Sequence, residues 1–290
     1  MINFEYRKPT SLEEAQNLRA EYGFASHFLM GGTDLTVEID QGLLSPEMLI
    51  DLKGIDALKI IREEADEIVI GAGVTFSELI KSSLIQLAFP SLHESSKLVA
   101  SVGVRNVATL SGNICHAVPS ADGAAPLLIR DAELTVSSTA GSHSVSIHDF
   151  FQGPRKTVLS ENELITEIRI KKNKAKFGEH YLKLGRYRGE DLAQVGVAVS
   201  VDEKFQYKIA YAAVSPVPMR IPEAEEVLQG QRPNQPEIEK AIEIIKRRVS
   251  PIDDIRASKE YRLYMCGVMF EKVLHAALQR MHDAQSGKKS

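Results

Sequence analysis

The chain has 290 residues, 43% of them hydrophobic and 26% charged, which is typical of a globular protein with one large domain or two ordinary ones. The formal net charge of −4 gives no sign of binding to nucleic acid or to an anionic membrane. The two cysteines, Cys115 and Cys266, exclude a disulfide framework and a cluster held by four thiolates, and no Cys/His set has the spacing of a zinc site.

The first part of the chain carries two helix-start signals and three strand signals. Ser11 followed three positions later by Glu14 has the spacing of a capping box, which predicts a helix over residues 9–22. Thr75 and Glu78 repeat that spacing and predict a helix that continues to residue 83. The predicted strands are residues 26–30, residues 48–52 and residues 67–72.

Residues 91–170 mix helical and strand-like patterns. A helix is predicted over residues 91–101, whereas the Gly- and Ser-rich residues 102–123 show little regular pattern. Three strands are predicted, two of them joined by a hairpin around Gly141: residues 132–138, 144–147 and 165–170. This mixture lacks the regular strand–helix alternation of a doubly wound parallel sheet.

The Lys-rich residues 171–176 mark a change of pattern, so we expect one domain over residues 1–174 and a second over residues 175–290. Residues 194–201 and 205–214 are long strand-like runs separated by a polar turn. The predicted helices that follow are residues 222–229, 236–248 and 258–280. The simplest arrangement is an antiparallel sheet with helices packed on one face.

Residues 30–37 (MGGTDLTV) directly follow a predicted strand and contain two adjacent glycines. Glycine lets the backbone take positive φ angles and pass close to a ligand. Successive N–H groups in such a turn form an anion-binding nest, to which Thr33 adds a hydroxyl donor. Taken alone, the pattern favours a tight strand-to-helix turn in which Thr33 or Asp34 caps the helix.

Residues 102–123 combine small residues with hydroxyl, amide and carboxylate side chains: Asn106, Thr109, Ser111, Gly112, Asn113 and Asp122. Such a set suits a polar ligand that needs hydrogen bonds from both backbone and side chains. A surface loop is the alternative. Against it, Ile114, Val118 and the apolar residues 124–129 indicate that the segment is attached to a core, and a long ordered loop in a compact domain is usually functional.

The common nucleotide-binding and hydrolase motifs are absent from the sequence. No G-x-G-x-x-G opens a helix, and GAGVTF at residues 71–76 lacks the third glycine, so a Rossmann dinucleotide site is not supported. There is also no G-x-x-x-x-G-K-[ST] phosphate loop and no G-x-S-x-G nucleophile elbow.

Three segments together resemble a known family: MGGTDL at residues 30–35, RNVATLSGNICHAVPSAD at 105–122 and LKLGRYRGEDLAQVGVAV at 182–199. They are similar to the FAD-binding medium subunits of molybdenum hydroxylases, a group that includes xanthine dehydrogenase and carbon monoxide dehydrogenase. The resemblance spans nearly the whole chain. It implies an α+β fold, with a two-part FAD-binding domain of the vanillyl-alcohol-oxidase (PCMH) type over residues 1–174. A smaller α+β domain, an antiparallel sheet plus helices, would follow over residues 175–290.

The resemblance also implies which residues contact FAD. Residues 29–36 would wrap the pyrophosphate with backbone donors, residues 109–113 would form a second flavin-binding turn, and Asp122 would bind the adenosine end. The implied contacts are Leu29, Met30, Gly31, Gly32, Thr33, Asp34, Leu35, Thr36, Ser101, Thr109, Leu110, Ser111, Gly112, Asn113, Asp122, Leu164, Ile165 and Lys183. A pyrophosphate takes N–H donors, a ribose takes a carboxylate, and a flavin carbonyl takes a cation. Cys115 or His116 could link a flavin covalently, but the resemblance implies non-covalent FAD.

For function, the resemblance implies an oxidoreductase subunit that transfers electrons. A partner large subunit would carry the molybdopterin, a partner small subunit the [2Fe–2S] clusters, and FAD would serve NAD⁺ or another acceptor; no metal is expected in this chain. The stretch RASKEYRLYM at residues 256–265 resembles the xanthine dehydrogenase members. MINFEYRKPTSLEE at the start has no apolar targeting region, and no apolar run has the length of a membrane span, so a cytoplasmic location is expected.

Two alternatives remain open. A stand-alone FAD-dependent oxidase or reductase of the same superfamily would need its own acid or base near the ring, and the sequence shows no convincing cluster. A scaffold protein that had lost the cofactor would not need the GGTDL and TLSGN segments. The sequence assigns no catalytic residue.

Overall fold

A computed structural model describes residues 4–187 and 190–287 of the chain. The strands are β1 Glu5–Arg7, β2 Ser26–Leu29, β3 Met48–Asp51, β4 Ile61–Glu63, β5 Glu67–Gly71, β6 Glu133–Ser138, β7 Gly141–Ser146, β8 Phe151–Gly153, β9 Lys156–Thr157, β10 Leu164–Lys171, β11 Phe177–Leu184, β12 Val195–Asp202, β13 Tyr207–Ala212 and β14 Met219–Arg220. The helices are α1 Leu12–Tyr22, α2 Leu35–Asp40, α3 Phe76–Lys81, α4 Ser83–Ala88, α5 Pro90–Lys97, α6 Val102–Arg105, α7 Leu110–Cys115, α8 Ala124–Ile129, α9 Ile147–Phe150, α10 Pro222–Leu228, α11 Gln235–Arg248 and α12 Lys259–Gln285. None of the helices among these residues combines the length and apolar character that a bilayer crossing requires.

A small parallel sheet with the strand order β1-β3-β2 forms the first part of the fold. Helix α1 packs on it through the buried Ala15. Ser11 caps this helix by accepting a hydrogen bond from the N–H of Glu14 at 3.2 Å. The Glu14 carboxylate, however, accepts from the N–H of Thr10 at 3.1 Å, so the capping box predicted at Ser11 is only half formed. Strand β2 ends at Leu29 and delivers the chain into the glycine pair.

An antiparallel five-stranded sheet with the order β4-β5-β10-β6-β7 forms the second part. Its apolar face packs against the helices between α3 and α8 and buries, among others, Ile70, Val136 and Ile168. The capping box predicted at Thr75 forms completely here: Thr75 Oγ1 accepts from the N–H of Glu78 at 3.2 Å, and the Glu78 carboxylate accepts from the N–H of Thr75 at 2.7 Å.

Residues 102–123 contain two short helices, α6 and α7, so the prediction of a stretch without regular structure was wrong. Ser101 caps α6 by accepting from the N–H of Val104 at 3.3 Å, and Thr109 caps α7 by accepting from the N–H of Gly112 at 3.1 Å. Helices of one to two turns contain too few residues for a 3.6-residue period to be visible in the sequence.

The last part of the fold is a four-stranded antiparallel sheet, β11 to β14, followed by the helices α10, α11 and α12. Strand β11 was missing from the sequence prediction. Alternate residues of β12, such as Val197 and Val199, face α12 and its neighbours, whereas Ala198 faces the core shared with α5 and α8. Both faces of the sheet are therefore covered, which explains why β12 reads as an unbroken apolar run.

Arg130 and Asp131, the two residues directly after α8, form ion pairs that connect the five-stranded part to the last sheet. Nη2 of Arg130 lies 2.6 Å from Oε2 of Glu179 in β11, and both side chains are buried. The neighbouring Asp131 pairs with His148 and, across to β13, with Lys208. Burial opposes ionisation of Asp131, but the hydrogen bonds from His148 and Lys208 hold its pKa well below the usual range.

Candidate functional site

A cavity of about 750 Å³ lies where the small parallel sheet, the α6–α7 segment and the end of β11 meet. Its volume is in the range of sites that bind small molecules. Its walls include these residues from four separate stretches of the sequence: Met30, Gly31, Gly32, Thr33, Asp34, Leu35, Thr109, Ser111, Gly112, Asn113, Asp122, Leu164, Ile165 and Lys183. The fold thus brings together most of the residues that the resemblance implied as FAD contacts.

The two turns singled out in the sequence touch each other. A Cβ added to Gly31 would stand 2.8 Å from the Cα of Ala108 and would overlap the carbonyl oxygen of Val107. Real Cβ atoms essentially never come within 3.0 Å of such atoms, so only glycine permits this approach. The next residue, Gly32, has a φ of 72°, a conformation that favours glycine. The glycine pair therefore places the first turn directly against the start of the second.

The first turn also leaves backbone donors available. Among the residues that the structure describes, the N–H groups of residues 31–34 donate to no protein acceptor, whereas the N–H of Thr36 donates to the carbonyl of Gly32 at 2.9 Å. Asp34 occupies the N-cap position of α2 but makes no capping hydrogen bond. Because these residues line the cavity, their successive amides are free to bind an anion there.

Side chains of the second turn fix its shape. Thr109 caps α7, and Ser111 Oγ donates to the main-chain carbonyl that follows β5 at 2.5 Å. Asn113 Oδ1 accepts from the N–H of Gly123 at 3.0 Å. The hydroxyl and amide groups that made this segment resemble a ligand site are thus engaged within the protein, where they hold the cavity wall in place.

One end of the cavity carries a buried ion pair. Lys183 Nζ lies 2.7 Å from Asp122 Oδ2, and the Tyr181 hydroxyl donates to Asp122 Oδ1 at 2.9 Å. Burial raises the pKa of the Asp122 carboxyl, and the Lys183 ammonium opposes that rise. Asp122 and Lys183 therefore lie side by side on one part of the cavity wall.

A second charged group lies beside the glycine turn. His116 Nε2 is 3.2 Å from Glu38 Oε1, and His116 Nδ1 is 3.5 Å from Asp34 Oδ1. Arg155 also pairs with Glu38. Burial opposes ionisation of Glu38, but the hydrogen bond from His116 and the charge of Arg155 lower its pKa. His116 therefore bridges α7 and α2 at the cavity wall, with both ring nitrogens directed at carboxylates.

Four of the implied contacts do not line the cavity: Leu29, Thr36, Ser101 and Leu110. The side chains of Leu29 and Leu110 are buried in apolar clusters. The Thr36 hydroxyl donates to the carbonyl four residues earlier at 2.6 Å, and the Ser101 hydroxyl caps α6. A ligand contact from any of these four stays a prediction.

The cavity also has wall residues that sequence analysis did not single out as contacts. Arg19, Phe28 and Glu161 lie together, with Arg19 Nε donating to the Glu161 carbonyl at 2.7 Å and its guanidinium 5.5 Å from the Phe28 ring centre. The neighbouring His27 has a buried Nδ1 with no partner in the described part of the chain, and burial together with Arg19 lowers its pKa. These residues come from α1, β2 and the loop before β10, so no local motif could have revealed them.

Comparison with protein-family models gives two matches that together span most of the chain. Residues 2–171 match the FAD binding domain in molybdopterin dehydrogenase, and residues 180–277 match the CO dehydrogenase flavoprotein C-terminal domain. These matches confirm the α+β fold class, an FAD-binding domain followed by a smaller domain with an antiparallel sheet and helices.

Characterised proteins and solved structures give the same result. The chain is 33% identical to the carbon monoxide dehydrogenase medium chain of Hydrogenophaga pseudoflava, covering 96% of this chain and 98% of that one. It is 31% identical to the xanthine dehydrogenase FAD-binding subunit of Escherichia coli O157:H7, covering 96% and 97%. Among solved structures, it matches a carbon monoxide dehydrogenase from Hydrogenophaga pseudoflava that lacks the Mo-pyranopterin moiety of the molybdenum cofactor, with a TM-score of 0.92, 34% identity and coverage of 96% and 98%.

Proposed function

Since the chain belongs to the FAD-binding medium subunits of the molybdenum hydroxylase family, we propose that its cavity holds FAD non-covalently as part of an oxidoreductase complex. The pyrophosphate would lie on the free amides of residues 31–34, because successive N–H groups stabilise an anion. The observation that carries the proposal is the close contact between Gly31 and residues 107–108, which places both turns at the wall of the same cavity.

The other wall residues fit the remaining parts of such a cofactor. The Asp122–Lys183 pair offers a carboxylate acceptor and an ammonium donor side by side. We propose that both contact the same part of FAD, the adenosine end that the resemblance implies for Asp122. Leu164 and Ile165, each only 4% exposed, supply an apolar wall.

We propose that this chain relays electrons between [2Fe–2S] clusters of a partner small subunit and NAD⁺ or another acceptor, in the cytoplasm. The flavin would supply the electron-transfer chemistry, and substrate would be oxidised at the molybdopterin of a partner large subunit. The task of this chain's own residues is to bind the dinucleotide, orient it and set the charge around it.

Substrate choice would lie in the partner large subunit. Identities of 33% to a carbon monoxide dehydrogenase chain and 31% to a xanthine dehydrogenase chain are too close to favour either. Two arginines of the stretch 256–265 stabilise the fold by ion pairing: Arg256 and Arg262 lie 2.6 Å and 2.8 Å from the carboxylate of Asp254. A xanthine dehydrogenase-like enzyme is therefore proposed on the resemblance of that stretch alone.

Titration of the purified full-length chain with FAD tests the binding proposal. We expect about one FAD per chain, a bound-flavin absorption spectrum, and neither molybdenum nor iron. Gly31→Ala should weaken FAD binding at least tenfold, because the added methyl group forces the two turns apart.

Gly153→Ala is the matched control, since a Cβ at Gly153 would meet no atom within 4 Å. Its FAD affinity should equal that of the wild type. A wild-type chain that stays colourless with added FAD would contradict the proposed function.

A further inference from the structure

We propose that His116 is a positioning residue whose positive charge strengthens FAD binding, so that the affinity of the chain for FAD falls as the pH rises. The inference rests on the proposed function. It is carried by the location of His116, which spans the gap between α7 and the helix that follows the glycine turn.

Helix α2 has few other attachments near the cavity. Of its residues only Ile39 is buried, within a small apolar cluster that includes Leu29 and Leu49 and is separate from the main cores. On its cavity side, α2 is tied to the second turn by His116 and to the β8–β9 turn by Arg155. The position of the glycine turn relative to α7 therefore depends on these polar contacts.

The charges around the turn give His116 its effect. Asp34 and Glu38 place two carboxylates beside the amides that would hold the FAD pyrophosphate, and Arg155 neutralises one of them. With a neutral His116 the group keeps one net negative charge next to an anionic ligand, whereas an imidazolium cancels it. A neutral imidazole also has only one N–H, so it can donate to only one of the two carboxylates.

Histidine is the side chain that ordinarily changes charge between pH 5 and 8. The groups that face His116 are Asp34, Glu38 and Arg155, with Cys115 beside it in the chain. The lowered pKa of Glu38 keeps it ionised. The cavity also contains His27, whose lowered pKa places its protonation at more acidic pH.

The test is the dissociation constant of FAD for the full-length chain at pH 5.5 and pH 8.5, measured by the change in FAD fluorescence. The wild type should bind FAD roughly 3- to 10-fold more weakly at pH 8.5. His116→Gln should show the same weak binding at both pH values. His116→Lys keeps a positive charge throughout, so its affinity should stay higher than that of His116→Gln at pH 8.5.

Asp34→Asn changes the same charge balance but keeps both contacts of Glu38, since Asp34 makes no capping hydrogen bond. Removing its carboxylate should strengthen FAD binding at pH 8.5. His148→Gln is the control variant: His148 pairs with Asp131 at 2.7 Å and does not line the cavity, so this variant should keep the wild-type pH dependence.

A pH dependence that survives in His116→Gln, or an Asp34→Asn variant with unchanged affinity at pH 8.5, would overturn the role of His116. Circular dichroism of each variant shows whether it has folded. The two substituted residues lie on different elements, so if one variant does not fold, the other still tests the role of His116. A wild-type chain that binds no FAD at either pH would instead contradict the proposed function itself.

Discussion

At the scale of single residues, the buried Asp122 depends on Lys183 for its charge. Burial already raises the pKa of Asp122, and Lys183→Met removes the ammonium that opposes the rise. The folded state then holds the Asp122 proton more tightly than the unfolded state, whose carboxyl has a pKa of about 4. The unfolding free energy of the variant should therefore fall as pH rises from that value through the raised one.

Urea unfolding at pH 5 and pH 8 measures this effect. Near neutral pH we expect Lys183→Met to lose about 3 kcal/mol relative to the wild type, because it leaves a carboxyl group buried without its partner. The double variant with Asp122→Asn has no carboxyl to titrate, so the extra pH dependence should disappear. Parallel pH profiles for the wild type and Lys183→Met would show that Asp122 does not depend on this ion pair.

Site residues that lie within one contiguous segment could be predicted from the sequence. Pairings between residues far apart in the chain could not. Gly31 and Gly112 belong to contiguous segments with a recognisable order of residues, and both line the cavity. The charge relation between Asp122 and Lys183 joins positions 61 residues apart, and the bridging role of His116 joins positions 78 apart. Such pairings depend on the folded chain, so the sequence could supply the residues but not their partners.

At the scale of elements, the approach of β11 to α12 requires a glycine. A Cβ at Gly178 would overlap the carbonyl oxygen of Ala277 and the amide nitrogen of Met281, both in the backbone of α12. A backbone atom cannot rotate away as a side chain does, so Gly178→Ala should separate the strand from the helix. We expect a loss of about 1–3 kcal/mol in unfolding free energy, measured by denaturant unfolding.

The same substitution at Gly103 gives a contrast. Gly103 lies in α6, and the nearest atom that a Cβ would meet is Ser101 Oγ at 3.8 Å. Gly103→Ala should therefore leave stability unchanged or raise it by up to about 1 kcal/mol, since alanine favours helices. Equal stabilities for the two variants would show that the β11–α12 contact can relax at no cost.

The elements that could be predicted are those with a pattern of their own. The runs around β12 and β13 and the long helices α11 and α12 show clear strand-like or helical patterns and were found. Strand β11 was missed because its charged residues Glu179 and Lys183, whose side chains are buried, read as surface residues until their partners are known. The helices α6 and α7 were missed because they are too short to show a period.

At the scale of the whole molecule, the last sheet shares a core with the FAD-binding part. Ala198, Ala210 and Ala212 belong to the same apolar cluster as the five-stranded sheet, and Lys183 brings β11 to the cavity wall. We keep the division of the chain near residue 175, between β10 and β11, as a proposal. The sequence predicted a change of pattern there, but it could not show that small residues on one face of the second sheet continue the core of the first part.

The buried Arg130–Glu179 pair gives a test of that joint. Glu179→Gln leaves the Arg130 guanidinium buried beside a neutral amide, which should lower the unfolding free energy by about 3 kcal/mol. Since the shared core and the cavity wall both cross the joint, the chain should still unfold in one transition. The double variant Arg130→Met with Glu179→Gln has no unpaired charge and should recover part of the loss. Additive losses from the two substitutions would show that the pair is not coupled, and two separate unfolding transitions in the wild type would show that the two parts fold independently.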